Sequence, residues 1–179
     1  MNFKKFVPNF ISLFRILCCP LFISTLSNDW NLLSIFIITI AGESDFFDGY
    51  LARKFNATSK FGELLDPLAD KIFCNSVLWS IYFFDKAPCP LLLILIAIPL
   101  TIRDLFLVFG TVFICFQGVK IETKPIYLSK ICTLLIFVFS ILSMIPGTNS
   151  IFLIVLGLFC LFSILLSAFL YFKRFFQTS

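Results

Sequence analysis

Four aspartates, Asp45, Asp48, Asp66 and Asp70, stand close together in a chain that is apolar on either side of them. On a helical wheel of about 100° per residue, Asp45, Asp48, Gly49 and Ala52 share one face. Gly62, Asp66 and Asp70 follow one another at i, i+4, i+8, so they also share a face. The stretch from Lys54 to Lys60 between the two runs is polar and charged, a turn candidate. Folding the chain about residue 57 or 58 brings Asp45 level with Asp70 and Asp48 level with Asp66. Carboxylates that face one another repel unless protons or cations sit between them. Oxygen-only ligands favour Mg²⁺ or Mn²⁺, with Ca²⁺ also admissible. Structural pairing with Arg53, Lys54 or Lys71 would leave the shared faces unexplained. Glu43 lies on the far side of the wheel from Asp45 and should point away from the acids.

The elements that carry these acids are membrane helices. Of 179 residues, 60% are hydrophobic and 13% charged, mean hydropathy is +1.04, and 26 residues are Phe. A soluble domain carries about 25% charge. The composition predicts one all-α integral membrane domain over residues 1–179, with no room for a separate soluble domain. Six apolar runs, at 6–27, 31–52, 62–84, 90–117, 126–146 and 149–173, each approach the ~20 residues that a bilayer requires. Ser27-Asn28-Asp29, Lys86-Ala87-Pro88 and Pro146 to Asn149 punctuate them. No cleavable signal peptide is expected, because Asn9, Ser12 and Arg15 interrupt the first run. Histidine is absent, which excludes His-based triads and His-ligated metals. The seven cysteines form no C-x-x-C and read as reduced packing residues.

Positive charge orients the spans. Lys4, Lys5, Arg53, Lys54, Lys60, Lys120, Lys124, Lys173 and Arg174 fall on one side and Lys86 on the other. Both termini and the acidic turn are therefore expected in the cytoplasm. About thirteen apolar residues precede the acids on the second span, a rise of roughly 20 Å against the ~30 Å hydrocarbon core. The aspartates thus belong near the headgroups of the cytoplasmic leaflet, and charges at such depth are functional candidates.

The run from Asp45 to Asp70 resembles the signature D-x-x-D-G-x-x-A-R-x8-G-x3-D-x3-D of the CDP-alcohol phosphatidyltransferases. Asp45, Asp48, Gly49, Ala52, Arg53, Gly62, Asp66 and Asp70 fill its fixed positions. The resemblance implies that Asp45, Asp48, Asp66 and Asp70 hold Mg²⁺ or Mn²⁺, two ions together bridging carboxylates and a diphosphate. It implies that Asp70 is also the catalytic base. Gly49, Ala52, Arg53 and Gly62 would receive the CDP part of the donor, CDP-diacylglycerol. Bare backbone at the three small residues lets the cytidine lie against both helices, and also suits close helix packing. Pro8, Asn9, Ile11, Ser12 and Arg15 match P-N-x-[IL]-[ST]-x-x-R, which opens many members beside the nucleotide; here Asn9 and Ser12 take that part. As a plain helix start, the same segment would have Arg15 snorkel to the interface.

Arg103 and Asp104 interrupt an apolar run, and Lys130 follows Ser129 in the fifth. Arg103 and Asp104 would neutralise each other, and Lys130 alone would reach the interface. Together Arg103 and Lys130 make a cationic pocket suited to a phosphate-bearing acceptor. The acidic stretch is similar to that of the phosphatidylglycerophosphate synthases, which implies glycerol 3-phosphate as acceptor. Arg103-Asp104 and the run Lys124-Pro125 to Lys130 look more like the cardiolipin synthases of the same family, whose acceptor is phosphatidylglycerol. The resemblance further implies a homodimer and a multi-pass protein of the bacterial cell membrane with its site facing the cytoplasm. A divalent-cation transporter would instead place acids near mid-bilayer on repeated or broken helices, and no repeat is present.

Overall fold

A computed structural model describes the backbone of residues 7–55, 60–116 and 127–177, and the side chains of residues 12–43, 68–110 and 128–173. The described residues are helical apart from their connections. In chain order the helices are α1 (Val7–Ser27), α2 (Asn31–Phe55), α3 (Lys60–Phe83), α4 (Pro90–Phe116), α5 (Tyr127–Met144) and α6 (Ser150–Gln177). Lys54 and Phe55, expected in a turn, belong to α2, and Lys60 belongs to α3. Residues 56–59 of that turn lie outside the described residues, as do Lys120 and Lys124.

Local chemistry sets the helix ends. After α1, Trp30 N–H donates to the Thr25 carbonyl at 3.0 Å and Asp29 N–H to that of Leu26 at 3.2 Å. Asp29 takes a left-handed backbone with φ 61°. After α3, Lys86 N–H donates to the Ile81 carbonyl at 3.0 Å and Asp85 N–H to that of Tyr82 at 3.1 Å, with Asp85 at φ 55°. Both ends satisfy the last carbonyls by the same pair of reversed bonds, with Asp standing where Gly is usual. Asn149 caps α6 by accepting from Ile151 N–H at 2.9 Å. Pro20 and Pro99 lie inside α1 and α4, where each removes one backbone donor.

The chain divides into two compact units, Met1–Lys86 with Met144–Pro146, and Ala87–Ser143 with Gly147–Ser179. In the first, α1 packs on α2 and α3. Phe22, Leu26, Ile38, Phe73, Val77 and Ile81 are fully buried there. The hydroxyls of Thr25 and Ser34 bond at 2.8 Å between α1 and α2. Lys86 pairs with Asp29 where α1 and α3 end.

In the second unit, α4 packs on α6. A Cβ at Gly157 would come within 2.6 Å of Leu92 Cδ2, so the missing side chain permits the approach. Fourteen residues further along α4, Phe106 meets Phe172 with ring centroids 6.5 Å apart. These two contacts show α4 and α6 running parallel.

Pro90–Gly110 and Ser150–Lys173, of 21 and 24 residues, are long and apolar enough to cross a membrane. Shorter apolar stretches cover Ser12–Ser27, Asn31–Glu43 and Leu128–Met144. Large apolar side chains stand on the outside, among them Leu32 at 85% and Leu91 at 78% exposure. An exterior so apolar suits contact with lipid.

Candidate active site

The buried face of α1 changes character along its length. Ser12, Arg15, Cys19, Phe22 and Leu26 follow helical spacing, and all are buried. The end near Leu26 is apolar; the end near Ser12 carries a hydroxyl and a guanidinium. Opposite, α3 buries Ala69, Phe73, Cys74, Val77 and Leu78, and Asp70 joins this face at its polar end. Arg15 Nη1 stands 3.7 Å from Asp70 Oδ1, with the arginine side chain 1% exposed and the aspartate 23%. The Cys74 thiol, one turn along α3, donates to the same Oδ1 at 4.0 Å.

Two contacts fix the levels of the other acids on the backbone. The ion pairs Arg15–Asp70 and Asp29–Lys86 show that α1 and α3 run parallel. Ser12, three residues before Arg15, is therefore level with Pro67 and adjacent to the level of Asp66. The Thr25–Ser34 bond joins the antiparallel helices α1 and α2. Counting about 1.5 Å per residue from it, Asp45 is level with Arg15 and Asp48 with Ser12, to within about a residue. One end of the first unit thus gathers the acid-bearing segments of α2 and α3 and the polar end of α1.

Asp45, Asp48, Gly49, Ala52 and Arg53 lie on α2, Gly62 and Asp66 on α3, and Asn9 on α1; their side chains are outside the described residues. Glu43, expected to point away from the acids, is exposed. Among the described residues no three acid or thiol groups stand together as a metal site. Of the four acids, only Asp70 has a described side chain. The donor set nonetheless fits a hard divalent cation. It is carboxylate throughout, it falls within about one turn at one end of two helices that both pack on α1, and α2 and α3 are continuous through it, which preserves the face shared on each helix.

In the second unit, Arg103 and Asp104 are 6% and 4% exposed. Arg103 Nε and Nη2 donate to Asp104 Oδ1 at 3.0 and 2.7 Å. Arg103 Nη1 donates to Cys132 Sγ at 3.1 Å. Those bonds occupy three of the five guanidinium N–H groups. Lys130, two residues before Cys132 on α5, is exposed. Arg103 and Lys130 therefore differ in setting: one is enclosed and hydrogen-bonded, the other is open.

Two side chains carry more than the sequence assigns them. Arg15 does not snorkel outward as a plain helix start would have it; it turns into the α1–α3 contact. Its position in step with Ser12, Cys19 and Phe22 was the available signal. Cys132 touches the buried guanidinium, and nothing in its apolar surroundings in the sequence marked that contact.

The profile of the CDP-alcohol phosphatidyltransferase family matches residues 5–169. The chain is 35% identical over 139 residues to CDP-diacylglycerol–glycerol-3-phosphate 3-phosphatidyltransferase of Aquifex aeolicus (strain VF5), covering 77% of this chain and 74% of that protein. It is 34% identical over 117 residues to the protein of the same name from Bacillus subtilis (strain 168), covering 57% of this chain and 61% of that one. It is also 35% identical over 100 residues to cardiolipin synthase (CMP-forming) of Streptomyces coelicolor, covering 51% of this chain and 45% of that protein.

Proposed function

Because this chain belongs to the CDP-alcohol phosphatidyltransferase family of phospholipid-synthesising membrane enzymes, we propose that it transfers the phosphatidyl group of CDP-diacylglycerol to sn-glycerol 3-phosphate. The products are phosphatidylglycerophosphate and CMP. The observation that carries this reading is the level shared by Asp45, Asp48, Asp66 and Asp70 at one end of α1–α3, together with relatives named for that reaction.

Asp70 takes the proton from the acceptor hydroxyl. The freed oxygen attacks the lipid-side phosphorus; the bond from that phosphorus to the CMP oxygen breaks, and CMP leaves with the electron pair. Asn9 and Ser12 from α1, and Gly49, Ala52, Arg53 and Gly62 from α2 and α3, receive the CDP part and orient the diphosphate. Asp45, Asp48 and Asp66, with Asp70, would hold Mg²⁺ or Mn²⁺, two ions in number. Bound there, the ions supply positive charge that offsets the phosphates and the departing CMP. Arg103 and Lys130 receive the acceptor phosphate.

The six helices each cross the bilayer, with both termini and the acidic end in the cytoplasm, and the chain acts as a homodimer. The excess of Lys and Arg at those ends supports that orientation. A second reading takes phosphatidylglycerol as acceptor. The Arg103–Asp104 pair and the Streptomyces relative favour it, since a guanidinium already neutralised suits a singly charged phosphodiester.

The test is CMP release from CDP-diacylglycerol by the purified protein, with glycerol 3-phosphate and with phosphatidylglycerol, each with Mg²⁺ and with chelator. Mg²⁺-dependent release that requires glycerol 3-phosphate is expected. Release only with phosphatidylglycerol establishes the second reading, and ion flux in liposomes without CMP release would make the protein a transporter.

A further inference from the structure

A guanidinium enclosed in the core of a helix bundle loses several kcal/mol of hydration unless an anion compensates it. Arg15, at 1% exposure, stands beside the carboxylate of Asp70 on α3. In the second unit both members of the Arg103–Asp104 pair are enclosed. In the Arg15–Asp70 pair the arginine is covered and the aspartate stays about a quarter exposed. Arg15 and the Cys74 thiol both approach Oδ1. The positive charge of the guanidinium and the thiol both stand on the Oδ1 side of the carboxyl group and favour an orientation that keeps Oδ1 toward α1.

We propose that Arg15 is a positioning residue for Asp70. By attracting Oδ1 from α1, it biases the carboxylate toward proton abstraction and opposes its full capture by a divalent cation. The inference rests on the reading above in which Asp70 receives the acceptor's proton. Its distinct content is that α1 decides between the two parts Asp70 can play, base and metal ligand. Loss of the guanidinium leaves the base misoriented and the metal better held, so turnover and metal affinity move in opposite directions. An arginine that merely filled space would move neither in that manner.

The experiment uses the full chain in detergent, with Arg15→Gln, Arg15→Lys and Asp70→Asn. Mn²⁺ binding is read by electron paramagnetic resonance and turnover by CMP release. Arg15→Gln is expected to lower kcat by about 10²-fold while KM for CDP-diacylglycerol stays within about threefold. The same variant is expected to bind Mn²⁺ about tenfold more tightly, because the Asp70 carboxylate, released from the guanidinium, becomes a full ligand. In an Asp70→Asn background, Arg15→Gln should change Mn²⁺ affinity by less than about threefold, since the competing carboxylate is gone. Arg15→Lys keeps the charge without the fork and should recover about tenfold of the lost kcat. If the Gln variant aggregates, the Lys variant carries the test, with kcat about tenfold below wild type and unchanged Mn²⁺ affinity. Unchanged kcat in both variants overturns the proposal. So does a raised KM for CDP-diacylglycerol at normal kcat, which would make Arg15 a contact of the substrate diphosphate. A wild-type protein that releases no CMP refutes the transferase reading instead, while the Mn²⁺ measurements still decide whether Arg15 restrains Asp70.

Discussion

Each compact unit of this protein buries an arginine against an aspartate, and the two pairs are built differently. Arg103 and Asp104 are neighbours in sequence, bond at 2.7 and 3.0 Å, and are both enclosed. Arg15 and Asp70 come from different helices, approach only to 3.7 Å, and leave the aspartate partly open. A closed pair with two charge-assisted bonds satisfies its charges within the fold. An open pair between helices leaves its carboxylate accessible, which the proposed proton acceptor requires. The same residue types are thus fully enclosed in one unit and left partly open in the other.

The largest expected effect breaks the open pair. Asp70→Asn should lower CMP release by at least about 10³-fold, near 4 kcal/mol of transition-state stabilisation. The midpoint of thermal unfolding should fall less than in Asp104→Asn, because the Asp70 side chain is partly solvated. Asp104→Asn should show the reverse emphasis. It leaves a buried guanidinium without its counter-charge and should destabilise the protein by about 3 kcal/mol, read as a lower midpoint of thermal unfolding.

The helical placement of the aspartates was legible because spacing can be read without knowledge of the fold. Asp45 and Asp48 at i, i+3, and Gly62, Asp66 and Asp70 at i, i+4, lie on helices that run unbroken through them. The apolar runs were legible for the same reason, as each is helical. Contacts between distant segments were not. Arg15 reads as an interfacial snorkel or, by resemblance, as part of a segment beside the nucleotide, and its burial against Asp70 depends on α3 standing beside α1. Cys132 reads as packing until α4 brings Arg103 against it. The left-handed Asp29 and Asp85 were also hidden, since Asp adopts that backbone less readily than Gly and the surrounding sequence signals only a turn.

Smaller effects sharpen the contrast within the second unit. Lys130 is exposed whereas Arg103 is enclosed, so Lys130→Ala should spare stability and raise KM for glycerol 3-phosphate by about tenfold, with KM for CDP-diacylglycerol unchanged. Steady-state kinetics with each substrate varied in turn checks this. The smallest expected effect is at Ser167, fully buried on α6, whose hydroxyl has no hydrogen-bond partner among the described residues. Ser167→Ala removes a group that is buried without compensation, and should leave stability unchanged or raise it by about 1 kcal/mol. A marked loss of stability there would mean that the hydroxyl is satisfied after all.

The most direct measurement supplies CDP-diacylglycerol labelled in its phosphatidyl group to the purified protein with glycerol 3-phosphate and Mg²⁺, then identifies the lipid formed and counts the CMP released. One labelled phosphatidylglycerophosphate for each CMP, absent in chelator and absent from the Asp70→Asn protein, is the predicted result. Equal turnover by Asp70→Asn, or label transfer that ignores the divalent cation, would contradict the assignment of the acidic end of α1–α3 as the seat of the reaction.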